Sequence, residues 1–216
     1  METAPDVWYA FLRLFFRLLY NELAWSYDLV AWLVSGGKWI SWGRATLSHL
    51  KGKRVLELGH GPGHLLVALA RRGVAPVGLD LSPNMGRQAQ RRLGRADVTV
   101  PLVRAQAQAL PFSSGGFDSV VAALPAEFIV DPRTVAEVTR TLAPGGRLIV
   151  AGGPRFEGEG LVSSLLTWLY QVTGQNPPSS DLVASWLGGS VLSHRILWEP
   201  VGNTSVMLVV ADKSSQ

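Results

Sequence analysis

Two carboxylates and three glycines carry the clearest chemical signal in this chain of 216 residues. Glu57 lies at the end of the apolar run Val55-Leu56-Glu57-Leu58, and Asp80 closes the run Val77-Gly78-Leu79-Asp80. Between them Gly59, Gly61 and Gly63 alternate with His60 and Pro62, and an apolar helical pattern begins after His64. Glycines at this spacing let the backbone turn sharply and approach a ligand with no Cβ in the way, while the following helix offers its free N–H groups. Asp80 stands 19 residues past Gly61, where a carboxylate at the end of a second strand can accept two hydrogen bonds from ribose hydroxyls. A capping role for it at the next helix is the competing reading, but Ser82, followed by Pro83, fills that role better. The dinucleotide fingerprint requires its third glycine at position 64, where this chain has His64, so the spacing argues against a nicotinamide or flavin site.

Other chemistries are limited by composition. With no cysteine there is no disulfide, thiolate metal site or cysteine nucleophile. His60 and His64 straddle Gly61-Pro62-Gly63, so they do not share a helical face as a metal pair would, and no metal is expected. No Gly-x-Ser-x-Gly elbow supports a serine hydrolase. The formal charge of +4 is uneven: residues 51–104 hold ten Lys/Arg against three Asp/Glu, and residues 105–216 hold six against nine. Arg71, Arg72, Arg87, Arg91, Arg92 and Arg95 are read as lining the solvated faces of two helices, with an anionic surface as the alternative.

The elements that must position these groups follow from periodicity. Short β-rich runs alternate with helical patterns from residue 53 onward, the signature of a parallel sheet with crossover helices. Strands are predicted near 53–58, 75–80, 98–104, 117–123 and 146–152, with helices near 63–73, 83–93, 131–141 and 160–173. Leu192 to Glu199 and Ser205 to Ala211 read as an antiparallel pair around Pro200-Val201-Gly202-Asn203, which gives a seven-stranded mixed sheet. Ser180 or Asp181 is expected to cap a short helix ending at Leu187. Residues 1–50 precede the repeating unit as a helical cap, with helices near 7–22, 25–34 and 38–50, and residues 51–216 form the ligand-binding domain of one compact whole.

The motifs downstream make the resemblance specific. Leu79-Asp80-Leu81-Ser82-Pro83-Asn84-Met85, Ala109-Leu110-Pro111-Phe112, Gly116-Phe117-Asp118-Ser119-Val120-Val121 and Leu142-Ala143-Pro144-Gly145-Gly146-Arg147-Leu148 follow the glycine loop in order. Together they resemble the class I S-adenosylmethionine-dependent methyltransferases, in the subgroup of quinone-biosynthesis C-methyltransferases and bacterial phospholipid N-methyltransferases. Tyr27-Asp28, then Ser35-Gly36-Gly37 and Trp39, are similar to the N-terminal segments of those enzymes. The resemblance covers roughly residues 25–211. It implies a Rossmann-like class I fold with a mostly parallel seven-stranded sheet, an antiparallel C-terminal strand and an N-terminal helical cap. It also implies S-adenosylmethionine as cofactor and S-adenosylhomocysteine as product.

By the same resemblance Glu57, Gly59, Gly61 and Gly63 surround the methionine part, Asp80 binds the ribose, Leu81 and Met85 pack on the adenine, and Ala123 at the strand-four end completes the set. Gln106-Ala107 stands where relatives carry Asp-Ala to read the adenine edge; a glutamine amide oxygen still accepts from an exocyclic amine, without charge assistance. Tyr27 is the candidate nearest the transferred methyl, with an ordinary buried tyrosine as the alternative. His64, His60 and Glu127 are the candidate bases for an acceptor that must lose a proton. Relatives carry histidines after strand four, and this chain has none there.

The aromatic N-terminal helices and the apolar segment Leu161 to Val172 point to an apolar or amphiphilic acceptor, a quinone precursor or a lipid headgroup. No Asn/Asp-Pro-Pro-aromatic motif is present, so nucleic-acid bases are not the expected target. The first helix places Arg13 and Arg17 opposite Phe11, Leu14, Phe15, Leu18 and Leu19; it reads either as a lid or as a peripheral membrane contact. Val7 to Tyr20 is too short to span a bilayer, which takes about 20 residues, and the chain reads as cytoplasmic. A non-catalytic module that keeps the fold is the reading of a different class, motivated by Gln106 and the missing histidines.

Overall fold

A computed structural model describes residues 27–125, 127–157 and 177–215. The helix expected near 7–22 and the segment Leu161 to Val172 lie outside those residues. The described chain begins with α1 (Tyr27–Ser35) and α2 (Trp39–Arg44), the latter running into a 3-10 helix over Ala45–His49. There follow β1 (Arg54–Leu58), α3 (His64–Arg71), β2 (Ala75–Asp80), α4 (Pro83–Arg95), β3 (Leu102–Arg104) and β4 (Phe117–Ala123). A 3-10 turn at Glu127–Val130 leads into α5 (Pro132–Thr141), then β5 (Leu142–Phe156), α6 (Ser180–Leu187), β6 (Leu192–Val201) and β7 (Thr204–Lys213).

The strands form one sheet in the order β3-β2-β1-β4-β5-β7-β6. β3, β2, β1, β4 and β5 pair in parallel, and β7 runs antiparallel to both β5 and β6. Helical connections join the parallel neighbours β1–β2, β2–β3 and β4–β5, whereas β6 and β7 are joined by the two-residue turn Gly202-Asn203, with Gly202 at φ +64°. The expected Rossmann-like class I architecture with one antiparallel strand is the one observed.

Period-two alternation sorts the core into two layers. Leu56, Leu58, Val120, Ala122, Leu148, Val150, Met207 and Val209 pack with Val135 and Val138 of α5 and Trp186 of α6. Val55, Val121, Ile149, Ala151, Leu208 and Val210 pack on the other face with Leu65, Leu66 and Leu69 of α3 and Leu93 of α4. Trp42 of α2 belongs to that second layer, fully buried, and its indole N–H donates to Thr204 Oγ1 at 3.0 Å.

Local chemistry moves several boundaries. The expected helix 38–50 divides into α and 3-10 parts, and strand three shortens to Leu102–Arg104 behind Pro101. Strand five begins at Leu142 because Leu142 pairs with Phe117 across an irregularity before the regular ladder starts at Ser119 and Arg147. Ser179, one residue earlier than expected, caps α6 by accepting from the Leu182 amide at 3.2 Å.

Gly78, opposite Glu57 in the parallel register, is closely packed. A Cβ there would lie 2.7 Å from Leu66 Cδ1, 2.9 Å from His60 Cδ2 and 3.0 Å from Leu102 Cδ2. Gly78→Ala should therefore cost roughly 1–3 kcal/mol of stability by overpacking. Denaturant unfolding should show a lower midpoint with an unchanged slope; an unaltered midpoint would mean that β2 has slack at this position.

Candidate functional site

The loop after β1 is zipped to the end of β2: the Gly59 and His60 amides both donate to the Leu79 carbonyl, at 2.7 and 3.2 Å. Gly61 then takes φ +51°, with open space where a Cβ would be, so the loop tip presents bare backbone. Gly63 sits at φ +83° as the residue before α3, and a Cβ there would come within 2.9 Å of Ala89 Cβ. Only glycine allows α3 and α4 to approach so closely at this point. Gly59, also at positive φ, lies against the ring of Phe128.

Asp80 ties this loop to the next helix. Its Oδ2 accepts from the Gly61 amide at 2.9 Å and its Oδ1 from the Ser82 amide at 2.8 Å. Ser82 in turn accepts the Met85 amide at 3.3 Å, capping α4 as expected. The carboxylate thus fixes the capping residue rather than capping the helix itself. Two oxygens offer about four acceptor positions, so both can accept a further donor after these bonds are made.

Glu57 is the anomaly of the site. It is 2 % exposed, and its Oε2 has no hydrogen-bond partner among the described residues. Burial pushes its carboxyl well above the usual carboxylate range, with the nearby Asp80 charge adding to the effect. A buried oxygen left without a donor costs about 1–3 kcal/mol, which a cationic ligand group would offset. This orphaned oxygen and the bare loop beside it fit the ammonium end and the adjoining backbone contacts of S-adenosylmethionine.

The histidines have partners. His60 is buried, and because a carbonyl can only accept, its Nδ1 donates to the Gly61 oxygen at 2.7 Å. Burial lowers its basicity. His64 Nε2 meets Asp28 Oδ1 of α1 at 3.0 Å, and Arg92 Nη2 of α4 meets Asp28 Oδ2 at 2.5 Å. The hydrogen bond from His64, followed by the charges of His64 and Arg92, outweighs burial and holds the Asp28 carboxyl below its ordinary range. Arg92 also donates to the Pro62 carbonyl of the glycine loop. It departs from the expectation that the six arginines simply line solvated faces. The side chains of Tyr27 and Glu127 lie outside the described residues.

On the far side of Asp80, Leu81 is 55 % exposed, an apolar surface beside the ribose-binding candidate. Met85 is buried, and its amide serves the α4 cap. β3 ends beside β2 with Arg104 opposite Asp80, which brings exposed Gln106 and buried Ala107 to the same sheet edge. Ala123, at the end of β4, is half-buried, with Gly43 of α2 packed on it.

The Leu110–Phe112 stretch is held by a clamp that the motif reading missed. Glu137 accepts the Leu110 amide at 2.7 Å, and Arg140 donates to the Leu110 and Phe112 carbonyls at 3.0 and 2.7 Å. The spacing Glu137-x-x-Arg140 on a helix was the available signal, since residues three apart share a face. Phe128 and Arg92 had no comparable signal. The arrangement thus binds the glycine loop to Asp80 and the end of β2, with buried Glu57 at the end of β1, Leu81 beside Asp80, and Gln106 and Ala107 just past β3.

Comparison with known proteins places this geometry in context. A family profile described as a methyltransferase domain matches residues 55–146. The chain is 34% identical over 203 residues to a demethylmenaquinone methyltransferase of Beutenbergia cavernae, covering 85% of this chain and 82% of that protein. It is 36% identical over 142 residues to a protein of the same name from Thermus thermophilus, covering 63% of this chain and 64% of the relative, just under two thirds of its length. Among solved structures, geranyl diphosphate C-methyltransferase from Streptomyces coelicolor in complex with S-adenosyl-L-homocysteine superposes with a TM-score of 0.62 at 18% identity, covering 80% of this chain and 78% of that one. That structural likeness speaks to the fold.

Proposed function

The chain belongs to the class I S-adenosylmethionine-dependent methyltransferases, and from that premise we propose that it methylates an apolar, quinone-type acceptor of the kind its relatives are named for. The observation that carries the proposal is the 34% identity to a demethylmenaquinone methyltransferase across more than four fifths of both chains.

Residue roles in this proposal are those the family resemblance implies, supported by the unpartnered Glu57 oxygen and the bare glycine loop. Glu57 faces the ammonium of the cofactor, Gly59, Gly61 and Gly63 give it bare backbone, and Asp80 accepts from the ribose hydroxyls. Leu81 and Met85 flank the adenine, with Gln106 and Ala107 along its edge and Ala123 at the strand-four end. When bound, the cofactor supplies a methyl group already activated on a sulfonium, so the contribution of the chain is chiefly to position the acceptor in line. Tyr27 is proposed as the residue nearest the acceptor. His60 and His64 are committed to Gly61 and Asp28, which weakens the case for either as a base.

A membrane-borne acceptor is supported by α1, where Leu29, Trp32 and Leu33 are 58 %, 60 % and 58 % exposed. Arg87, Arg91 and Arg95 recur every four residues on α4, all exposed, and anionic lipid would attract such a stripe. We therefore include peripheral contact with an anionic bilayer in the proposal. No helix among the described residues is long and apolar enough to cross a membrane.

The test is transfer of labelled methyl from S-adenosylmethionine to a reduced demethylmenaquinone analogue in detergent or anionic vesicles, beside a phospholipid acceptor. Label in the quinone supports the proposal. Label only in the phospholipid would replace its acceptor, and cofactor binding without transfer to either would favour the non-catalytic module.

A further inference from the structure

One carboxylate of the cap helix reaches both elements that frame the glycine loop. Asp28, in the first turn of α1, pairs through Oδ1 with His64 Nε2 at 3.0 Å and through Oδ2 with Arg92 Nη2 at 2.5 Å. His64 is the first residue of α3, immediately after Gly63. Arg92 comes from α4 and holds the Pro62 carbonyl with its other nitrogen. Three elements distant in sequence, at positions 28, 64 and 92, thus meet beside the loop tip without belonging to the set that would touch the cofactor.

We infer that Asp28, His64 and Arg92 form a latch that fastens α1 over the glycine loop and sets how long the cofactor stays bound. The inference rests on the cofactor reading of that loop. Its physical basis is leverage: Pro62 lies between Gly61, whose amide is held by Asp80, and Gly63, whose backbone starts α3. Tying the His64 ring directly, and the Pro62 carbonyl by way of Arg92, to one anion fixes the loop from both sides. Asp28 is therefore a positioning residue acting through His64 and Arg92. Its side chain is 45% exposed, so water screens the pairs and leaves them strong enough to slow opening but weak enough to break.

The experiment is stopped-flow release of S-adenosylhomocysteine from the full chain, with unfolding temperature measured without cofactor on the same samples. Asp28→Asn should release it about threefold to tenfold faster, the range for one or two screened charged pairs, while unfolding temperature changes little. Added salt should speed release from the unaltered chain and not from Asp28→Asn. Combining Asp28→Asn with Arg92→Gln should speed release by less than the product of the two single effects, because both remove the Asp28–Arg92 pair while only the second removes the bond to Pro62. His64→Gln keeps a side-chain donor for Asp28 and should release more slowly than His64→Ala. Equal release rates for the unaltered chain and Asp28→Asn would overturn the latch. A large drop in unfolding temperature with unchanged release in the milder His64 pair would reduce the contact to ordinary packing and overturn it as well. If the unaltered, folded chain binds no S-adenosylhomocysteine, the cofactor reading fails, and the latch fails with it.

Discussion

Asp80→Ala is expected to leave a folded protein that binds S-adenosylhomocysteine at least about a hundredfold more weakly. Two effects combine. The amides of Gly61 and Ser82 lose their acceptor, so the loop and the α4 cap lose the carboxylate that holds them in register. In its proposed role Asp80 is also the partner of the ribose, which the variant removes, and hydrogen bonds to a charged group are each worth about 1.5–3 kcal/mol. Two such bonds correspond to about a hundredfold or more in affinity. Asp80→Asn keeps one oxygen acceptor without the charge and should fall between. Calorimetric titration decides the matter: affinity of the alanine variant within threefold of the original would remove Asp80 from the cofactor site.

Glu57→Gln is expected to make the empty protein more stable at neutral pH and a poorer binder. The sign follows from burial. A carboxyl whose folded pKa is raised contributes stability that is fully present below its unfolded value, 4.5, and is lost as pH rises towards the folded value. Glutamine carries no charge at any pH and removes that loss. The variant should therefore unfold at a higher temperature than the original at pH 8, with the difference shrinking towards pH 4. Its affinity for S-adenosylmethionine should fall about tenfold to a hundredfold, because the variant removes the anionic partner proposed for the ammonium. In the unaltered chain, burial favours the protonated form of Glu57 while pairing with an ammonium favours the anion, so binding through Glu57 should release protons. Binding heats measured in buffers of different ionisation enthalpy should show proton release for the original and less for the variant. Equal proton release by both would exclude Glu57 as its source.

These two residues show how far the sequence could be read. Glu57 and Asp80 were conspicuous because an acid at the end of an apolar run, beside glycines at fixed spacing, has few other uses. The sheet was legible for a related reason: β1, β4, β7 and the middle of β5 are nearly continuous apolar runs, the pattern of strands buried on both faces, and they alternate with helical stretches. What escaped were effects between elements. Arg92 looks like any arginine on a basic helix until Asp28 and Pro62 are found beside it, 64 and 30 residues away. Phe128 beside Gly59 and Glu137 under Leu110 are likewise products of packing. The boundary shifts were set by single local contacts, such as Leu142 reaching Phe117 and Ser179 taking the Leu182 amide.

The position of β7 bears on how such a chain is made. It follows β6 in sequence yet lies between β5 and β6 in the sheet. During synthesis the chain therefore emits β6 before the strand that must separate it from β5. Until residues 204–213 emerge, β5 shows an unpaired edge and β6 has nothing to join. Exposed edges of this kind recruit wrong partners, including neighbouring nascent chains. The earlier parallel half can collect on β1 and β4, but β6 can join it only together with β7, the two forming a hairpin against the open edge of β5. Assembly at that end of the sheet is consequently a late docking of the hairpin, and the interval before it is when the growing polypeptide most needs to be shielded from its own kind.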